Sequence, residues 1–565
     1  MSVLNKTWQI KNQDPTLGIT DKLLINRGIL DQEAIQTYLY PNYKKGFHNP
    51  FLMKDMDKAV ARIKKAAQGG EKIMIFGDYD VDGISGTAIL YNALKIMGAK
   101  VSYRLPHRVK DGYGLSNAFI EEFIKLGVNV AITVDCGISC KSQIALAHNY
   151  GLDVIVTDHH TIPEEMPDKA YAILHPMQPG DEYPFKGLTG AGVAYKLASA
   201  LITDNFKGGE REEYLYALLD LASLGTVADI GPIKDENRII VKYGLEALKN
   251  TRWSGLQYLK EQAGILPEDK LNIGTIGFKI GPRINAAGRI DHPYYALQLL
   301  LSEEGEKGKL LAEHLEKLNQ ERQQMVIKAM LEAETQYTGR RSDKIFVAWS
   351  ADWHVGILGL IAGKISEKYG VPAMILQDFG DYLVASARCP ETFNVVEALT
   401  ANRDYLEHFG GHAQAAGFNI RKDRLEDFVR NMEEYAEKNF IKDKDANPIL
   451  NIDCEINAED INESLMKFMD QMEPFGVGNE QPLFLVRNAK HNYLKRVGKE
   501  SNHLSFLAQT GFKRFSTIAY KLGEHADEIL SSPTVDIVCY LDRNEWKGKH
   551  QIQFRAVDFK PSEQK

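Results

Sequence analysis

Four short apolar runs recur in the first half of the chain, at residues 73–76, 128–134, 154–156 and 171–174, each bounded by turn-forming or polar residues. Runs of this length with no polar alternation read as strands buried on both faces. Between them, residues 85–97 and 116–126 place apolar side chains at helical spacing, and strands alternating with helices predict an α/β fold on a parallel sheet. Ligands of such sheets sit beyond the carboxyl ends of the strands. Asp78, Asp135 and Asp158 fall at those ends.

Further along, residues 301–337 are polar and proline-free, with Leu311, Leu315, Leu318, Met325 and Met330 near one helical face, which predicts a long connecting helix. A second, smaller α/β module is expected over residues 345–439. After a helical stretch at 460–472, the segments 482–486, 503–508, 515–519, 535–541 and 551–556 read as strands of a small β-barrel. The expected organisation is an N-terminal extension at 1–50, a catalytic α/β domain at 51–300, the connecting helix at 301–340, the smaller domain at 341–440 and the barrel at 448–565. A chain of 565 residues suits several domains, since one domain takes roughly 100–200 residues.

Composition narrows the class. No apolar run approaches the roughly 20 residues that span a bilayer, and the opening MSVLNKTWQIKNQDP lacks the apolar core of a secretory signal, so no membrane and a cytoplasmic location are expected. Cys136, Cys140, Cys389, Cys454 and Cys539 are scattered and form no CxxC pair, which predicts free thiols rather than disulfides or a zinc knuckle. A net charge of −8 argues at face value against nucleic acid. Residues 481–565, however, carry 14 Lys and Arg against 9 Asp and Glu, a net of +5, which leaves −13 for the rest. Part of that acidity is a cluster of aspartates that divalent cations would neutralise.

GDYDVDG sets Asp78, Asp80 and Asp82 at alternate positions after a strand; an extended backbone would turn all three to one side. Three adjacent carboxylates repel one another unless cations occupy the site, although an acidic loop capping a helix gives the same pattern. VIVTDHH adds Asp158, His159 and His160 at another strand end, a mixed nitrogen and oxygen set suited to manganese, iron or zinc. TVDCG adds Asp135 and GTVADIGP adds Asp229.

In order and character these four motifs resemble those of the DHH phosphoesterase superfamily. The resemblance implies two manganese ions, with magnesium as an alternative, bridged by Asp135. Asp80, with Asp78 nearby, belongs to one ion; Asp82, His159 and Asp229 belong to the other. His160 then lies toward the substrate, and Asp158 orients an imidazole. Two cations about 3.5–4 Å apart activate water and stabilise an in-line displacement at phosphorus.

Small-substrate members of the superfamily carry a His four residues before the first Asp of their DxD pair; here that residue is Phe76. LPHRVKDGYGLS, LTGAGVAYKLA, GFKIGPRINAAGRI, WHVGILGLIAGKI, SARC, FGGHAQAAGF and PFGVGNEQPLF follow in the order of the superfamily's single-strand exonucleases. Cys389 and Pro390 depart from that pattern, where a small polar residue and an aliphatic one are expected. The resemblance implies 5′ to 3′ hydrolysis of single-stranded DNA to 5′-mononucleotides in DNA repair and recombination. It also implies a monomer working with a single-strand-binding protein and a helicase. Arg108, Ser386 and Arg388 are expected to cradle the terminal 5′-phosphate, Arg283 to contact the strand near the scissile bond, and His412 to belong to a substrate-closing GGH motif. Arg289 sits in a similar Gly-rich loop, which suits bidentate phosphate contact. Gly190 and Gly192 open an apolar helix and either present N–H groups to a phosphate or permit tight packing.

In the tail, Tyr493, Lys495, Arg496, Phe506, Lys513, Arg514, Phe515, Tyr520 and Trp546 interleave basic and aromatic residues, as a stacking platform for single strands requires, although most aromatics in strands are core. The resemblance makes this tail an OB-fold. Two other readings stay open: a phosphodiesterase for very short or cyclic oligonucleotides, which Phe76 and the basic tail oppose, and a non-catalytic DNA-binding relative, which the complete ligand set opposes.

Overall fold

The computed structural model describes the chain except residues 1, 113, 203–205, 207–208, 339–342, 441–447, 547–548 and 563–565. Two units emerge: Phe47–Gly231 with Asp235–Lys442, and Met1–Gly46 with Pro232–Lys234 and Asp443–Lys565.

The first unit holds a five-stranded parallel sheet in the order Lys100–Arg104, Lys72–Gly77, Val130–Val134, Asp153–Thr157, Ala172–Leu174. Ile73, Met74, Ile75 and Phe76 are all buried, which is why their run shows no alternation. Each such side chain contributes about 1.5–3 kcal/mol by leaving water. The helix Val81–Ile96 is apolar nearly all round because it packs against the sheet and two further helices, Gly190–Leu201 and Leu219–Ala228. These contacts hold the strand ends still. The edge strand Lys100–Arg104, half polar, went unread in the sequence.

The connecting helix Gly305–Thr338 runs 34 residues, about 51 Å at 1.5 Å per residue; the expected last residues, 339 and 340, lie outside the described residues. Its tightest face carries Ala312, Leu315, Leu318, Val326, Ala329 and Ala333, whereas Leu311, Met325 and Met330 are only half-buried. Small alanines let the helix approach closely, so the buried stripe is rotated from the one the larger side chains suggest. It leads to a mixed sheet ordered Leu406–His412, Ala415–Arg421, Tyr382–Arg388, Ala373–Asp378, Phe346–Ser350. The last two strands are parallel, joined by the helix Val355–Tyr369; the other pairs are antiparallel.

The second unit is the barrel. Phe484–Val497, His503–Thr510, Lys513–Ala519, Lys549–Pro561 and Val535–Trp546 pair in turn, and the first also pairs with the last, closing the ring. Phe484, Phe506, Phe515 and Phe554 fill it. Residues 1–46 belong here rather than to a separate extension: Thr7–Ile10 pairs in parallel with Ile449–Ile452, and Leu23 and Leu24 join the barrel's core.

Candidate metal centre

Each acidic motif is delivered by the end of a regular element. Asp78 follows Lys72–Gly77, and its N–H donates to Val134 O at 3.1 Å. The extended arrangement expected for Asp78, Asp80 and Asp82 gives way to a helix start. Asp80 is the N-cap of Val81–Ile96, accepting from the Asp82 and Gly83 amides at 3.0 and 3.1 Å, and Asp82 lies in the first turn. A cap satisfies amides that the helix cannot, so capping and ligand geometry coexist in one residue. Asp135 follows Val130–Val134 with φ of 62°, a left-handed conformation that costs energy outside glycine and turns its carboxylate into the cluster. Asp229 caps the end of Leu219–Ala228.

The side chains converge. His159 Nε2 lies 3.0 Å from Asp135 Oδ1, 3.5 Å from Asp229 Oδ2 and 3.7 Å from Asp82 Oδ2. Asp78, Asp80 and Asp135 form one group of donor atoms within 4.8 Å of one another, Asp82, His159 and Asp229 a second, and Asp135, His159 and His160 a third. Asp82 is held by Thr189 Oγ1 at 3.1 Å and the amides of Gly190 and Ala191 at 2.6 and 2.9 Å. Asp158 accepts from Ile138 N at 2.9 Å and binds His160 Nδ1 at 2.7 Å, so the imidazole it orients is that of His160.

Burial and then repulsion from Asp80 push the Asp78 carboxyl well above the usual carboxylate range; burial and then Asp82 and Asp80 do the same to Asp135. Burial, with Asp82 and Asp80, raises Asp229 to about 8. Burial also lowers the His159 imidazole, which favours the neutral form that binds metals. Asp78 Oδ1, Asp135 Oδ1 and His159 Nε2 are buried without a hydrogen-bond partner. Buried polar atoms are rarely left so, and paired divalent cations fit them: oxygen and imidazole donors, two groups, and a negative field to neutralise.

Family models match three stretches: the DHH family N-terminal domain at residues 72–226, the DHHA1 domain at 342–438 and the RecJ OB domain at 452–558. The single-stranded-DNA-specific exonuclease RecJ of Bacillus subtilis is 36% identical, over 98% of this chain and 71% of its own length. That of Haemophilus influenzae is 31% identical, over 91% and 92%. The chain belongs to the RecJ family. A crystal structure of RecJ from Thermus thermophilus in complex with Mn2+ superimposes with a TM-score of 0.81 at 27% identity, covering 99% of this chain and 80% of that one.

Around this RecJ centre the arginines take distinct places. The Arg108 guanidinium lies 3.9 Å from the centroid of the Tyr79 ring. Arg388 Nη1 donates to Ser386 Oγ at 3.2 Å and to Ala387 O at 2.8 Å, and a Cβ at Gly359 would come 3.0 Å from Arg388 Nη2, so that glycine makes room for the pair. Arg289 Nη1 donates to Gly356 O at 3.2 Å, tying the helix Gly281–Ile290 to the second sheet's helix. Arg283 Nε meets Glu316 Oε2 at 2.5 Å. His412 is exposed at the end of the edge strand Leu406–His412, and is in none of the donor groups.

Of the two readings of Gly190 and Gly192, the geometry favours tight packing: both are buried, the Gly190 amide serves Asp82 rather than a phosphate, and a Cβ at Gly192 would press on Leu188 at 3.2 Å. Thr189 and Gly225 were missed. Gly225 lets its helix approach Asp82, since a Cβ there would come 2.3 Å from Asp82 Oδ1, and its place in GTVADIG was the available signal. In the barrel, Lys495, Arg496, Lys513 and Arg514 are exposed. Arg496 also donates to Gly523 O at 2.9 Å, and Lys513 to Ile461 O at 3.0 Å. Phe506 and Phe515 are core, whereas Tyr493 is 81% exposed and the Trp546 side chain lies outside the described residues. Phe512, fully exposed at the turn between two barrel strands, was missed.

Proposed function

We propose that this chain is a manganese-dependent exonuclease that hydrolyses single-stranded DNA from the 5′ end and releases 5′-mononucleotides, in DNA repair and recombination. The observation that carries the reading is the pair of donor groups joined where His159 Nε2 meets Asp135 Oδ1 at 3.0 Å. Asp78, Asp80 and Asp135 would hold one ion, and Asp82, His159, Asp229 and Asp135 the other; magnesium suits the oxygen-rich group as well. When bound, paired cations supply Lewis-acid polarisation of the phosphoryl group and make water acidic enough to attack it.

The chain's own residues do the rest. Asp82 is fixed by the start of the helix Gly190–Leu201, and Asp158 fixes the His160 ring on the substrate side. Arg388, Ser386 and Arg108 grip the terminal phosphate, and Arg283 and Arg289 hold the strand. Tyr493 and Phe512, among the barrel's exposed basic residues, offer faces on which bases stack. Among the described residues no helix is long and apolar enough to cross a membrane. A monomer in the cytoplasm, supplied with single strand by a helicase and a single-strand-binding protein, completes the reading.

End-labelled single strand, duplex and dinucleotide are to be digested side by side with manganese. Rapid loss of the single strand alone, abolished in Asp80→Ala with its circular dichroism intact, is expected. Preferred cleavage of the dinucleotide, or full activity in the variant, would sink the assignment.

A further inference from the structure

In the stretch LPHRVKDGYGLS, Arg108 stands on no helix or strand; it sits in a turn that its neighbour His107 builds. His107 Nδ1 accepts from the Val109 amide at 3.2 Å and from the Lys110 amide at 3.4 Å, so the closed loop of atoms contains the backbone of Arg108. The His107 carbonyl accepts from the Lys110 and Asp111 amides at 3.1 and 2.8 Å, and the His107 amide donates to Asp111 Oδ2 at 2.8 Å. Asparagine and aspartate close turns with a side-chain oxygen in this way. Here an imidazole nitrogen does it, which requires that nitrogen to carry no proton.

The imidazole is itself held. Its ring meets that of His292 edge-on with centroids 5.7 Å apart, and His292 stacks on Tyr294 at 4.2 Å. Tyr294 Oη accepts from Arg104 Nη1 at 2.9 Å and from the Leu105 amide at 3.4 Å, where the strand Lys100–Arg104 runs toward the turn. The turn and its entry thus lean on one pair of stacked rings. From the turn the Arg108 guanidinium reaches the ring of Tyr79, 3.9 Å from its centroid, and Tyr79 stands between Asp78 and Asp80. Arg108 Nε is buried without a hydrogen-bond partner. A guanidinium donor left open at the edge of the metal centre suits an anion that arrives with the substrate.

We propose that His107 is a positioning residue: by closing the turn around Arg108 it sets that guanidinium where the terminal 5′-phosphate arrives, and so sets the preference for phosphorylated ends. An arginine whose backbone is fixed and whose head rests on Tyr79 loses less conformational freedom on binding than one on a loose loop. The inference rests on the reading of Arg108 as a terminal-phosphate residue.

The test measures kcat/KM on single strands with 5′-phosphate and with 5′-hydroxyl ends, in the full chain and in His107→Ala, His107→Asn, Arg108→Ala and the double variant His107→Ala with Arg108→Ala. Circular dichroism checks that each is folded. His107→Ala should lower the phosphate-to-hydroxyl ratio about 3- to 10-fold, the equivalent of one hydrogen bond, and mostly through KM. His107→Asn should recover most of the ratio, because its Oδ1 accepts the same amides. The double variant should show no lower ratio than Arg108→Ala, since no guanidinium is left to place. A ratio unchanged in His107→Ala while Arg108→Ala lowers it, losses that multiply in the double variant, or asparagine as poor as alanine would each overturn the inference. Failure of Arg108→Ala to change the ratio overturns the underlying reading instead.

Discussion

The amide of Gly190 donates to Asp82 Oδ2 at 2.6 Å, and a Cβ at that position would come 2.6 Å from Asp135 Cβ and 2.7 Å from its Oδ1. One glycine therefore sets the spacing of two ligand-bearing motifs. Gly190→Ala must move Asp135 or the helix by several tenths of an ångström or more. Manganese-dependent hydrolysis should fall about a hundredfold or more, as small misplacements at reacting groups do, while circular dichroism stays native. A rate near that of the unaltered chain would mean the ligands tolerate the shift.

Arg388→Ala removes the donor beside Ser386. A charged hydrogen bond to phosphate is worth about 1.5–3 kcal/mol, so use of 5′-phosphorylated ends should drop roughly 10- to 100-fold. Ends bearing a hydroxyl should be little affected. Competition between the two labelled substrates reads the difference directly, and equal loss on both would remove the terminal role.

Asp220 offers a pH signature away from the centre. Burial raises its carboxyl to about 6, against Thr251 Oγ1 at 2.5 Å, Trp253 Nε1 at 3.1 Å and the Leu221 amide at 2.6 Å, which all favour the charged form. The folded state thus binds this proton more tightly than the unfolded chain. Its contribution is fully present below about pH 4, is lost as pH rises to about 6, and is constant above. The unfolding free energy of the unaltered chain minus that of Asp220→Asn should fall by up to about 3 kcal/mol across this window, read by urea denaturation. A flat difference would show that Asp220 stays ionised throughout.

Lys196 and Glu236 form a buried pair at 2.7 Å, with Tyr183 donating to the same carboxylate at 2.6 Å and Lys196 donating to His48 O at 2.6 Å. Lys196→Met strands a buried charge, and a loss of about 3–5 kcal/mol is expected. Lys196→Met with Glu236→Gln should recover part of it. Thermal melts of the three variants decide the matter; no recovery would assign the loss to packing.

The sheet and the carboxylate cluster were readable because a buried parallel strand leaves an unbroken apolar run and its chemistry must sit where the run ends. Asp78, Asp135 and Asp158 satisfy both conditions at once. What lies opposite a motif is not local information. The start of the helix opened by Gly190 and Gly192 suited either a phosphate or tight packing, yet the Gly190 amide faces Asp82, more than a hundred positions earlier. Phe512 was missed although a local signal existed, its place in a Gly-Phe-Lys-Arg stretch between two strands, where the side chain is fully exposed.

The pairing of Thr7–Ile10 with Ile449–Ile452, together with Ser2 Oγ donating to Asp558 Oδ2 at 2.5 Å, makes the first and last parts of the chain a single cooperative piece. During synthesis the opening 46 residues must wait for partners that leave the ribosome hundreds of residues later, roughly 20–90 s at ordinary elongation rates, with Leu23 and Leu24 uncovered meanwhile. A premature stop shortly after residue 442 would therefore leave the opening 46 residues permanently without the strands and core they pack on, an uncovered apolar segment ahead of the catalytic unit.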